Sequence, residues 1–280
     1  MPFLELFDET LDINSTENYE LSVQIGQDGF AFAILDTIRN KYIMIRSTEP
    51  DDNKYPGAEK ISDIISKDDF LTRRYKKINV VMPSPKFTLV PSPLYDPAKK
   101  EEYFNYNLNR DDNEIILANK IPDPDAWIVF AVPRLLYEIP GRFWPGAFPL
   151  HHTKPLLNQV SHNSKSVGGY FIHIHIEKEF FNLLVYDHGT LKFSNSFFYR
   201  NVSDILYYVL NVCKTMGISH DETVHFSGHT EQYDDIWSGF AMYIRNMKFT
   251  EPAGSYTFSY VFNELPLHRF INLFSITSCE

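Results

Sequence analysis

Apolar and polar positions alternate with period two over residues 21–25, 30–36 and 41–47, the spacing that puts every second side chain on one face of a strand. The turns Gln27-Asp28-Gly29 and Arg39-Asn40 separate the three runs, so an antiparallel meander is expected. Ile61, Ile64, Ile65, Phe70 and Leu71 then fall near helical spacing, and residues 79–91 return to extended structure. The same order comes back in the second half. Strands are expected over 170–177, 180–186 and 191–199, a helix over 202–216 and a strand over 223–227, then a helix over 233–247 and a strand over 256–262. The two equivalent helices share the openings Ser62-Asp63-Ile64-Ile65 and Ser203-Asp204-Ile205-Leu206, where Ser or Asp is placed to cap a first turn. This repeated order reads as a duplication.

Between the halves lie "NEIILANKI", "AWIVFAVPRLLYEIPGRFWP" and "AFPLHHTKPLLNQV". The last two each place a short apolar strand ahead of a helix-like stretch, and frequent prolines punctuate them. Residues 161–169 are polar, small and aperiodic, and are expected to link a first lobe (1–160) to a second (170–280). The fold class expected is α/β: two lobes of related topology, mixed sheets flanked by helices, and a cleft between them.

Length and composition narrow the function classes. At 280 residues, with 44% hydrophobic and 22% charged, the chain is long enough for two buried cores. Its 23 Phe and 17 Tyr favour sheet-rich packing. A net charge of −10 repels nucleic acid and anionic membrane. The basic run Arg73-Arg74-Tyr75-Lys76-Lys77 reads as a solvated helix end. Cys213 and Cys279 do not suggest a disulfide framework, and the acidic N-terminus resembles no secretion signal, so a cytoplasmic address is expected. Leu267, Phe270, Ile271 and Phe274 share one helical face, read as a docking helix that finishes the second lobe rather than a membrane anchor.

His173, His175 and Glu177 alternate with Ile172, Ile174 and Ile176. One face of that strand is therefore apolar, and the other carries imidazoles and a carboxylate of the kind that binds zinc or iron, with His225 and His229 within reach on a neighbouring strand. Without further spaced ligands, the favoured reading is a polar face hydrogen-bonded within the lobe, and no metal is assigned. "FSGH" lacks the leading glycine of a nucleophile elbow. Asp51-Asp52, Asp68-Asp69 and Asp111-Asp112 read as caps and loops.

The duplicated meander, followed by helix, strand, helix and strand over roughly residues 21–274, resembles the actin-like ATPase superfamily. Its two ribonuclease-H-like lobes close over a nucleotide. The chain looks closest to a bacterial family of unknown function with that fold. "IVFAVPRLLYEIPGRFWPGAFPLHH" is also similar to a passage of the bacterial division and pilus-assembly actin relatives. The resemblance implies an Asp-x-Gly at the end of the first strand of each lobe, where carboxylates organise metal and water and glycine admits phosphate. Gln24-Ile25-Gly26 and His175-Ile176-Glu177 stand at those places. Of the glycine pair beneath the adenosine, only Gly228 remains, in "VHFSGHTEQY". Gly26, Asp28, Gly29 and Gly228 are thus the degenerate phosphate and adenosine positions. No catalytic residue and no cofactor are assigned. The function expected is a non-catalytic adaptor for a protein partner, with no nucleic acid and no membrane contact. The alternative is a divergent ATPase or phosphotransferase using Asp28, Asp187 or Glu177.

Overall fold

A computed structural model of the chain describes residues 4–26, 29–48 and 57–278. Strands β1 (Leu4–Phe7), β2 (Tyr19–Gly26), β3 (Gly29–Asp36) and β4 (Lys41–Thr48) pair antiparallel, β1 against β4 and the rest as the expected meander. Asn40, with a left-handed φ of 51°, makes the turn into β4. Helix α1 (Ala58–Lys67) carries the chain back so that β5 (Lys77–Met82) runs parallel to β2. Then come β6 (Phe87–Pro91), α2 (Lys100–Asn107), β7 (Glu114–Ile121) and β8 (Ala126–Pro133). These form a separate antiparallel sheet in the order β6-β8-β7. Phe104 of α2 packs on one face with Val90, Ile116 and Val129, while Ile128, Phe130 and Val132 turn into the main core. Helix α3 (Arg134–Phe143), β9 (Pro149–His151) and α4 (Thr153–Ser164) complete this half, with β9 parallel to β5.

The second half repeats the plan with β10 (Tyr170–Ile176), β11 (Phe180–Asp187), β12 (Thr190–Phe198), α5 (Val202–Met216), β13 (Thr223–Gly228), α6 (Asp235–Ala241) and β14 (Asn246–Phe249). Its sheet order, β12-β11-β10-β13-β14, matches β4-β3-β2-β5-β9 of the first. In both, three antiparallel strands are followed by two parallel ones. The duplicated order is therefore real in three dimensions. Ile172, Ile174 and Ile176 face α5 and α6, together with Ile205, Val209 and Phe240. The opposite face of β10 looks toward the first half.

Several expectations are revised. Helix α1 starts after Gly57, so Ser62 and Asp63 lie in its second turn, whereas α5 is capped by Asn201 and Asp204 in a reciprocal box. The helix expected over 233–247 ends at Ala241, and β14 follows because Met247 and Phe249 cover the second core as an edge strand. Residues 161–164, taken as linker, are the last turn of α4; Ser161 and Ser164 are buried, and small side chains there let the helix pack closely.

The C-terminal segment departs most from expectation. The strand expected over 256–262 is the two-residue β15 (Thr257–Phe258), parallel to β4 of the first sheet, followed by a 3-10 turn. The docking helix is α7 (Ile271–Ser275). Phe262, Phe270, Leu273 and Phe274 pack on Ala31, Ala33, Leu35, Tyr42 and Ile45, so this segment finishes the first sheet, not the second. Conversely, α4 puts Leu156, Leu157 and Val160 beside Leu184 and Tyr186 of β11. Gln159 Oε1 of α4 accepts from the Ala253 N–H at 3.0 Å and the Ser275 hydroxyl at 3.2 Å. Each half thus lends a helix to the other.

Phe274 is fully buried, with its ring centroid 4.8 Å from that of Tyr42 and 4.9 Å from that of Phe258. Phe274→Ala is expected to lower unfolding stability by about 3–5 kcal/mol in a denaturant titration; a loss below about 1 kcal/mol would contradict this docking.

Candidate functional site

His229 connects the two meander hairpins: it lines a cavity at the first and approaches Glu177 of the second. At the first, Gly26 pairs with Gly29; Asp28, between them, lies outside the described residues. Gly29 has φ +149°, and a Cβ there would sit 3.0 Å from the Thr48 carbonyl oxygen. Gln24, Gly26, Gly29 and Thr48 line a small cavity together with His229 and Arg269. Among the described residues its volume is about 40 Å³, space for a few waters.

At the second hairpin Glu177 turns inward and is only 2% exposed. Its carboxylate accepts from His175 Nε2 at 3.1 Å, and His229 Nε2 lies 3.9 Å away on the cavity side. That bond fixes the rest of a string. With its proton on Nε2, His175 accepts at Nδ1 from the Ser227 hydroxyl at 2.7 Å; Ser227 accepts in turn from His173 Nε2 at 2.9 Å; and His173 Nδ1 accepts from the Thr250 hydroxyl at 3.1 Å. Asn272 of α7 also contacts His175 Nε2 at 3.1 Å.

Burial is the largest single influence on the Glu177 carboxyl and pushes it up, but the hydrogen bond from His175 together with the electrostatic influence of His175, His229 and His152 outweighs it and holds the group below its ordinary value. Burial dominates at the histidines. It lowers His173 well below the usual range and takes His152 and His229 down to about 4. His152, at the start of α4, accepts at Nδ1 from the Ser84 N–H at 3.3 Å and donates from Nε2 to Asn182 Oδ1 at 2.7 Å; Asn182 then donates to the Ser196 hydroxyl at 2.6 Å. A second polar string therefore ties the first half to β11 and β12.

Glu177, His175 and Ser227 follow the order carboxylate, imidazole, hydroxyl that activates a nucleophile. Ser227 is fully buried and flanked by a second imidazole, so no substrate carbonyl reaches it. The ring nitrogens of His173 and His175 are engaged by hydroxyls and the Glu177 carboxylate, and among the described residues no three His, Cys, Asp or Glu are grouped to hold an ion. His225 instead stacks on Phe171 with ring centroids 4.0 Å apart.

Of the positions singled out in the sequence, Gly26 and Gly29 line the cavity, and Gly228 lies next to His229 in the chain. Gly228 has a local duty. At φ +84°, a Cβ there would fall 2.1 Å from the Ile176 carbonyl oxygen, which accepts the His229 N–H at 2.7 Å. Glycine is required for β13 to run this close to β10. Asp187, at the far end of β11 from this hairpin, bonds His188 at 2.6 Å and stays outside the site. His152, Asn182, Ser227, Thr250 and Asn272 were given no role by sequence. Only period-two spacing marked one face of β10, and the partners come from five separate stretches.

One family, described as a protein of unknown function (DUF3822), matches residues 8–247. The chain belongs to this family. No curated protein matches it. The chain is similar to a Bacteroides thetaiotaomicron VPI-5482 protein with actin-like ATPase fold and unknown function, with 22% identity over 86% of this chain and 93% of that one and a TM-score of 0.79. It is also similar to a solved PilM-PilN type IV pilus biogenesis complex, with 11% identity over 93% of this chain and 98% of that one and a TM-score of 0.58. The fold of this family member is that of the actin-like ATPases.

The buried histidines set an acid limit on the fold. An unfolded chain takes up protons near pH 6.5, whereas His152 and His229 in the native state refuse them until about pH 4. Stability is therefore lost as pH falls through that window, by about 1.4 kcal/mol per unit for a fully buried group such as His152. The urea midpoint is expected to drop steadily from pH 6.5 to 4 and less steeply in His152→Gln; a flat midpoint across that window would contradict the neutral assignment.

Proposed function

We propose that the chain is a non-catalytic adaptor, an actin-like body that binds another protein and whose nucleotide site has decayed. The observation that carries this reading is the inward, buried Glu177 carboxylate at the second hairpin. A phosphate brought to that hairpin would face an anion through a poorly screening interior. The first hairpin supports the same reading: Gln24 supplies a neutral amide where a hard divalent cation takes charge from a carboxylate. Gly228 is accounted for by strand contact, with no adenosine required.

A protein partner is favoured over other ligands on two grounds. The net charge of −10 repels nucleic acid and anionic lipid, and one neighbour of the same fold was solved as a PilM-PilN complex. No helix among the described residues is long and apolar enough to cross a membrane. The competing reading, a divergent ATPase or phosphotransferase, draws on Arg269, a cation that lines the same cavity as Gly26 and Gly29.

Magnesium with a non-hydrolysable ATP analogue at millimolar concentration is expected to leave the thermal unfolding midpoint unchanged. A ligand at a hundred times its Kd adds about 2.7 kcal/mol of stability, so a shift of several degrees would favour the competing reading.

A further inference from the structure

The cavity beside Gly26 and Gly29 is made in part by the chain's own C-terminal segment. Arg269 and Phe270, which line it, come from a 3-10 turn at Leu267–Phe270 that leads into α7. This turn is anchored on both halves. On the second half, His268 Nε2 donates to the Thr230 carbonyl oxygen at 2.9 Å and the His268 ring stacks on Phe249 with centroids 4.0 Å apart. Arg269 Nη1 lies 3.7 Å from Glu231 Oε1, and Asn272 reaches the His175 ring at 3.1 Å. On the first half, Phe270 and Phe274 enter the core with Ala31, Ala33 and Tyr42, and the Tyr42 hydroxyl donates to the Phe274 carbonyl oxygen at 3.0 Å.

A segment that only covered the first sheet would bury Phe270 and Phe274 and turn its polar side chains to water. Here the polar pair His268 and Asn272 is buried as well, which is costly unless each finds a partner, and both partners belong to the second half. The segment is therefore built to be enclosed. With Arg269 and Phe270 in place, the cavity among the described residues is about 40 Å³, whereas pockets for small organic ligands run to about 300 Å³ or more. We propose that Leu267–Phe274 is a built-in plug: an intramolecular occupant that ties the two halves together across the cleft and shuts solutes away from the first hairpin. The proposal rests on the decayed-site reading and deepens it, since the chain's own side chains take the bridging place of a ligand.

Gln24 lines the cavity, so a cysteine placed there in a Cys279→Ser background reports access through its rate of reaction with a small thiol reagent. The buried Cys213 gives its own rate in the same background without Gln24→Cys. Gln24→Cys is expected to react slowly in the otherwise native chain. The rate is expected to rise about tenfold or more when Arg269→Ser removes the side chain at the cavity, or His268→Ala the anchor on the second half. Because a plug opens locally, that gain is expected to be insensitive to low urea. A gain that climbs with urea would mark global unfolding and contradict the proposal, as would fast reaction in the native background or an unchanged rate in both variants. If His268→Ala does not fold, Arg269→Ser decides alone. Magnesium-ATP that raises the unfolding midpoint of the native chain would overturn the decayed-site reading, and the labelling rates would still decide the plug.

Discussion

A carboxylate closed into the interior and bonded through imidazole is the constraint around which the centre of this molecule is arranged. An ionised group away from water costs several kcal/mol unless its lone pairs are met, and Glu177 meets this requirement through His175. Because His175 must then present its other nitrogen as an acceptor, Ser227, His173 and Thr250 have their hydrogen-bond directions set in turn. The string runs along the inner face of β10 and links it to β13 and the segment after β14. Removing one member would strand the next, since a half-satisfied buried network costs more than an apolar one.

That inner face is also where the two halves are joined. Helix α4 leaves the first half and lies against β11, while α7 and β15 return from the second half to cover the first sheet. Asn272 links α7 to the Glu177 string, and His152 links α4 to Asn182. The apolar contacts supply most of the favourable burial. The polar strings decide the register in which those surfaces meet, because an unpaired buried amide or imidazole penalises any other arrangement.

The duplicated strand order was legible in the sequence because it rests on period-two alternation and turn residues, which are local signals. The face of β10 was legible too: the spacing of His173, His175 and Glu177 marked it as polar against an apolar reverse. What joined that face was not. Ser227 and Asn272 look like ordinary polar residues in sequence, and only the parallel pairing of β13 with β10 and the return of α7 bring them to His175. The destination of residues 256–277 was hidden for a similar reason. An amphipathic face at Leu267, Phe270 and Phe274 announces burial but not which sheet receives it. Gly228 stood out in the sequence only through the family's adenosine position, while the 2.1 Å approach of a Cβ there to the Ile176 carbonyl oxygen, which strand packing imposes, is visible only in the fold.

The central claim is that the second hairpin is closed by an ionised, internally bonded Glu177. Carbon-13 NMR of the Glu177 carboxyl, followed as pH is lowered toward the acid unfolding transition, tests it most directly. The account predicts an ionised chemical shift at neutral pH, protonation only below the ordinary carboxylate range, and no response to added magnesium and ATP. A carboxyl that protonates near neutrality, or one whose signal moves when magnesium and ATP are added, would contradict it.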